Sequence, residues 1–330
     1  MKPAVLLGPA ELLAGAYPPG LRQRLSQLVS LAPAEIPPDS WREHRAVLAR
    51  AEFIFSTWGM PALDEEFLAA APELKAVFYA AGTVKAFATP AAAKRDIIIC
   101  AAAEANGLPV AEYCLAVILL SLKKFWPYTS QPPAQKYTKF PGEPPGVYGA
   151  TIGLVSLGAV GRRLADLLAN HEVRVIVHDP YLAPGDAARH HATLCPMDEL
   201  FRTADVVSLH TPWIPETVGL IRGEHIRAMK HGATFINTSR GAVVDEPGLC
   251  EALRERPDLT AILDVTYPEP PSVDSPLRTL PNVILTPHIA GSMGNEVARL
   301  GWWMLDEAER LLDGRPLRHR IDYARLPLMA

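Results

Sequence analysis

TIGLVSLGAVG, residues 151–161, joins an apolar run to a turn, and from about Val160 to Asn170 the chain has helical patterning. Apolar strand, glycine turn and helix is the arrangement that cradles a dinucleotide pyrophosphate, with the fingerprint G-x-G-x-x-G. Gly158 and Gly161 hold the second and third glycine positions, and Ser156 holds the first. The string alone is weak; its placement carries the reading. Gly158 lets the backbone approach the phosphates and Gly161 lets the helix pack closely on the strand. The helix N-terminus, at Ala159 and Val160, offers amide donors and the positive end of its dipole. Ser156 is small, but if the turn demands a positive φ there, phosphate binding is expected to suffer.

The next strand, VRVIVH (173–178), ends at Asp179, eighteen residues after Gly161. A carboxylate there accepts hydrogen bonds from both hydroxyls of an adenosine ribose and repels a 2'-phosphate. No arginine adjoins it, so the expected cofactor is NAD rather than NADP.

The same grammar fills the chain. ADVVSLH (204–210), ATFINT (233–238), TAILDV (260–265) and VILT (283–286) continue the second α/β series. Earlier, AVLL (4–7), FIFST (53–57), KAVFYA (75–80) and DIIIC (96–100) are strand-like, with helical segments at 21–29, 64–71 and 90–95. Continuous apolar strands with helical crossovers predict parallel sheets covered on both faces. An apolar helix is expected from Pro109 to about Phe125. Residues 127–149, with six prolines and three glycines, read as irregular chain, and 293–313 as a long amphipathic helix. The fold class is therefore α/β: two Rossmann-like domains with parallel sheets, one flavodoxin-like and one dinucleotide-binding. The expected division is 1–115, completed by about 296–330, and 116–295.

The 330 residues are 49% apolar and 21% charged with net charge −4, a globular composition that gives no bulk reason to expect nucleic acid as partner. No run reaches the roughly 18 consecutive apolar residues of a membrane span. MKPAVLLGPAELL reads as a first strand and a turn rather than a signal peptide. Four cysteines without CxxC spacing argue against a disulfide scaffold, and a cytoplasmic protein is expected.

Three residues follow strands of the second series and so reach one edge of its sheet. Arg240, in NTSRG, suits bidentate binding of a carboxylate. Glu269, in YPEPP, and His288, in TPHIAG, could pair: a carboxylate beside an imidazole fixes the ring for proton transfer. Each is commonplace alone; three on one edge beside a cofactor turn are not.

The combination resembles the D-isomer-specific 2-hydroxyacid dehydrogenase family. The likeness runs from about 50 to 310 through LKAVFYAAGTVKAFATPAAAKRDIIIC, ANGLPVAEYCLAVILL, GATIGLVSLGAVG, HDPYL, VVSLHTPWIPETVGLI, GATFINTSRGAVVDEPGLCEAL, ILDVTYPEP and PNVILTPHIAGS. It implies a cleft between two domains and reversible hydride transfer between NADH and a small 2-oxo acid. Arg240 would hold the substrate carboxylate and carbonyl, His288 would be the acid–base group and Glu269 its partner. The resemblance also implies that backbone amides at Ala81, Gly82 and Thr83 grip the substrate carboxylate. Asp264 would lie near the nicotinamide, and Thr211, Pro212 and Thr238 beside the cofactor. It further implies a homodimer and no metal.

Two departures from the family pattern stand out: Ser156, and YAAGTVK in place of the more usual GVGVD form. STWGMP (56–61) offers no arginine for a phosphorylated substrate, and Glu269 stands where formate dehydrogenases usually carry glutamine. The competing reading is an NAD(H)-sensing, corepressor-like binding protein on the same fold, which would bind NADH without turnover.

Overall fold

The computed structural model describes residues 1–130, 132–133 and 146–328, so most of the proline-rich stretch at 127–149 lies outside the described residues. The chain divides into two compact units, Met1–Gly107 with Ser292–Met329, and Leu108–Gly291. Each is built on a parallel sheet, as the continuous apolar strands require.

The first unit contains β1 (Pro3–Leu7), β2 (Ser30–Leu31), β3 (Phe53–Ser56), β4 (Ala76–Tyr79) and β5 (Ile98–Ala101), in the order β2-β1-β3-β4-β5. Alternate side chains feed two cores, as a period of two demands. Val5, Leu7, Ile54, Val77 and Tyr79 face one side. Ala4, Leu6, Phe53, Phe55 and Phe78 face the other, where they meet Leu300, Met304, Leu305 and Ala308 of the helix Glu296–Leu312. That helix returns the chain to the first sheet. It crosses the helix Ala10–Ala16 so tightly that a Cβ on Gly301 would lie 1.9 Å from the Ala16 carbonyl oxygen. The buried carboxylate of Glu307 accepts the amides of Arg318 (3.1 Å) and His319 (3.0 Å), anchoring the chain that leaves the helix.

The second unit contains β6 (Thr151–Val155), β7 (Arg174–His178), β8 (Ala192–Leu194), β9 (Val206–Leu209), β10 (Thr234–Asn237), β11 (Thr260–Leu263) and β12 (Val283–Leu285). Their order is β12-β11-β10-β9-β6-β7-β8. The chain leaves β6 toward β7 and comes back on its other side as β9, so the winding reverses between β6 and β9. In open α/β sheets ligands bind outside the carboxyl ends of the strands at that reversal.

Three local features differ from the sequence reading. A helix occupies Ala10–Ala16, where the sequence suggests a turn; Pro9 and Gly15 look like turn residues, but Gly15 faces Val297 of the crossing helix. β2 and β8, of two and three residues, are edge strands too short to show a periodicity. The apolar helix begins at Ala103 rather than Pro109 and ends at Leu122, and a further helical turn follows at Phe125–Thr129. Pro109 lies inside this helix, where it lacks the amide donor and its ring crowds the carbonyl four residues back, which is why the sequence suggests a boundary there. This helix is long and apolar enough to cross a membrane by length and composition, but Ala111, Cys114, Val117, Ile118 and Leu122 are buried in the core of the second unit.

Candidate active site

The turn after β6 resolves what Ser156 does. Its φ is +75°, the left-handed region that glycine enters freely, so the turn does hold Ser156 at the positive φ for which weakened phosphate binding is expected, and the serine adopts it at a conformational cost. Its hydroxyl lies 2.9 Å from Thr211 Oγ1 at the end of β9, across the point of reversal. A Cβ on Gly161 would lie 2.5 Å from the Ser156 carbonyl oxygen, whereas a Cβ on Gly158 would meet nothing within 4 Å. Gly161 allows the close packing and Gly158 leaves the approach open.

Gly158 caps the helix Ala159–Leu168 without a side-chain bond, and the Arg162 amide donates to the Gly158 carbonyl at 3.0 Å. The amides of Ala159, Val160 and Gly161 precede that bond, which is the donor set an anionic phosphate requires. Asp179, just beyond β7, accepts the Leu157 amide through Oδ2 and the Tyr181 amide through Oδ1, both at 2.9 Å. Its carboxylate is therefore fixed against the turn. These residues fit a dinucleotide.

Arg240, Glu269 and His288 follow β10, β11 and β12, and the structure brings their loops together. Asn237 shapes the first loop: its Oδ1 accepts the Ser239 amide at 2.9 Å and its Nδ2 donates to the Arg240 carbonyl at 3.1 Å. Gly241 lets this loop lie directly on the next, since a Cβ there would be 2.0 Å from the Thr266 carbonyl carbon. Arg240 Nη1 donates to the Ser239 carbonyl at 2.6 Å. Burial pushes the guanidinium pKa down, and the nearby charge of Glu269 opposes that. His288 Nδ1 pairs with Glu269 Oε1 at 2.6 Å, leaving Nε2 as the outward ring nitrogen. Both side chains stay partly open, at 49% and 41% exposure, so a small molecule can reach the ring.

His288 itself has φ +55°. Its amide donates to the carbonyls of Asp264 and Thr286, each at 3.0 Å. The Asp264 side chain, 2% exposed, accepts Thr286 Oγ1 (2.6 Å), the Ile289 amide (2.8 Å) and the Ala290 amide (2.9 Å). Both its oxygens are engaged by its own unit. Thr238 Oγ1 lies 3.2 Å from Cys114 Sγ, and Pro212 follows Thr211 at the end of β9.

Ala81, Gly82 and Thr83 follow β4 in the first unit. Ala81 is buried, and Thr83 Oγ1 accepts the Lys85 amide at 3.4 Å. The sequence reading missed Tyr113, whose hydroxyl is 3.3 Å from Thr286 Oγ1. An apolar helix carrying one tyrosine gives no signal of where that hydroxyl ends.

The family model for the D-isomer specific 2-hydroxyacid dehydrogenase NAD binding domain matches residues 115–290. The chain is 34% identical over 252 residues to D-3-phosphoglycerate dehydrogenase of Mycobacterium leprae, covering 76% of this chain and 48% of that protein. It thus spans about half the length of that relative. It is also 34% identical over 275 residues to (S)-sulfolactate dehydrogenase of Chromohalobacter salexigens, covering 81% and 89% of the two chains. Among solved structures, the TT0316 protein from Thermus thermophilus superimposes with a TM-score of 0.72 at 29% identity, over 97% of this chain and all of that one. NAD is the cofactor of the second unit, and the chain belongs to the D-isomer-specific 2-hydroxyacid dehydrogenase family.

Proposed function

We propose that the protein is an NAD-dependent oxidoreductase that interconverts a small 2-oxo acid and the corresponding 2-hydroxy acid. The observation that carries this is the 2.6 Å pair of His288 and Glu269, on the same sheet edge as Arg240 and the Ser156–Gly161 turn. Ser156, Gly158, Ala159, Val160 and Gly161 hold the pyrophosphate, and Asp179 holds the ribose. Thr211, Pro212, Thr238 and Asp264 shape the nicotinamide end. Bound as NADH, the cofactor supplies a hydride to the C2 carbonyl.

Arg240 anchors the substrate carboxylate and polarises the carbonyl. Protonated His288 gives its Nε2 proton to the oxygen on which charge develops, with Glu269 holding the ring. In the oxidative direction neutral His288 takes the hydroxyl proton. A homodimeric, cytoplasmic enzyme with neither nucleic acid nor membrane as partner completes the proposal.

The test is NADH oxidation against glyoxylate, hydroxypyruvate, pyruvate, 2-oxobutyrate, phenylpyruvate, 3-sulfopyruvate and 3-phosphohydroxypyruvate, with NADPH in parallel. Turnover of at least one acid with an NADH preference is expected. NADH binding with no turnover across the panel would overturn the enzyme reading in favour of a sensing role.

A further inference from the structure

Tyr113 projects from the helix Ala103–Leu122 to the loop that carries His288. Its hydroxyl is 3.3 Å from Thr286 Oγ1, which in turn bonds Asp264 Oδ1 at 2.6 Å. A threonine hydroxyl has one proton, and the Asp264 carboxylate can only accept, so Thr286 donates there and Tyr113 must donate to Thr286. Burial raises the Tyr113 pKa, the Thr286 hydrogen bond opposes this and the Asp264 charge adds to it; the net direction is upward, which keeps the phenol protonated. The result is a one-way chain, Tyr113 to Thr286 to Asp264.

The chain ends on the backbone around His288. The Asp264 carboxylate takes the amides of Ile289 and Ala290, and its carbonyl takes that of His288. The histidine sits at φ +55°, which a residue with a side chain keeps only where its surroundings over-determine it. A donor at Tyr113 polarises the Thr286 hydroxyl and strengthens its bond to Asp264.

We infer that Tyr113 is a positioning residue for His288, acting through Thr286 and Asp264 to hold the left-handed loop that aims the imidazole. This rests on the acid–base reading of His288 given above. It deepens that reading by adding a residue from another element to the apparatus. A ring held less well delivers its proton more slowly, so the loss falls on kcat more than on cofactor binding.

The experiment compares wild type with Tyr113→Phe, Thr286→Val, Thr286→Ser and the Tyr113→Phe/Thr286→Val double variant. For Tyr113→Phe, kcat should fall about fivefold, the worth of one hydrogen bond. Its solvent deuterium isotope effect should rise, and kcat should change by more than the NADH Kd does. Thr286→Ser should retain more activity than Thr286→Val, and the double variant should be no slower than Thr286→Val, because both changes break one chain. Amide exchange of residues 286–291 should be faster in Tyr113→Phe, a readout that needs no turnover. If wild type reduces no 2-oxo acid, the functional reading fails, and the exchange rates alone decide the positioning claim. Wild-type kcat, isotope effect and exchange in Tyr113→Phe would overturn it, as would a lowered Tm with all three unchanged.

Discussion

Replacing Ser156 by glycine and by alanine separates two opposing contributions in the cofactor turn. At φ +75° a residue with a Cβ carries a conformational cost of about 1–2 kcal/mol, which glycine removes. The serine hydroxyl offsets part of this through its 2.9 Å bond to Thr211, worth about 1 kcal/mol net. Glycine loses that bond and adds about 0.5–1 kcal/mol of unfolded-state entropy. For Ser156→Gly the three effects nearly cancel, and stability should stay within about 1 kcal/mol of wild type. Ser156→Ala loses the bond and keeps the strain, so it should be destabilised by about 1 kcal/mol, or about 2–4 °C in Tm for a domain of this size. The assay is urea unfolding of the three proteins side by side, with NADH titration to confirm that the turn still binds. An alanine variant as stable as wild type would show that the Thr211 bond contributes nothing.

Two further outcomes follow from one buried and one half-buried polar group. Glu307→Ala leaves the Arg318 and His319 amides without their acceptor, while Arg310 keeps Asp306 at 2.8 Å, and should cost about 1–3 kcal/mol in urea unfolding, with Glu307→Gln losing less. Burial pushes the His210 pKa down to about 4, below the ordinary value of 6.5. Between those pH values the unfolded chain therefore holds the extra proton. The His210 contribution is complete above pH 6.5 and is lost as pH falls toward 4, on the order of 3 kcal/mol in total. The urea midpoint should fall over that range, and less steeply in His210→Asn.

Much of this was legible because parallel sheets buried on both faces write continuous apolar runs, and because Arg240, Glu269 and His288 each stand a few residues past such a run. The edge they share follows from the strands being parallel, without any tertiary information. The helix at Ala10–Ala16 was hidden because its stabilising contacts come from residues almost three hundred positions away; Gly301, which admits the Ala16 carbonyl, looks like any helical glycine in the sequence. Ser156 was visible as a departure, but its positive φ and its bond to Thr211 belong to the folded turn alone. Asp264 was placed beside the cofactor by family likeness; that its oxygens also hold the His288 loop is a property of the folded unit that no local pattern carries. Tyr113 carried no signal because its partner, Thr286, lies on the far side of the unit's sequence.

The most direct measurement is the steady-state rate of His288→Ala with NADH and the best acid of the panel, alongside its NADH Kd. If His288 transfers the proton, kcat should fall by about 10²–10⁴-fold while the Kd stays within a factor of two or so. Unaltered turnover, or a loss explained wholly by weaker NADH binding, would contradict the account.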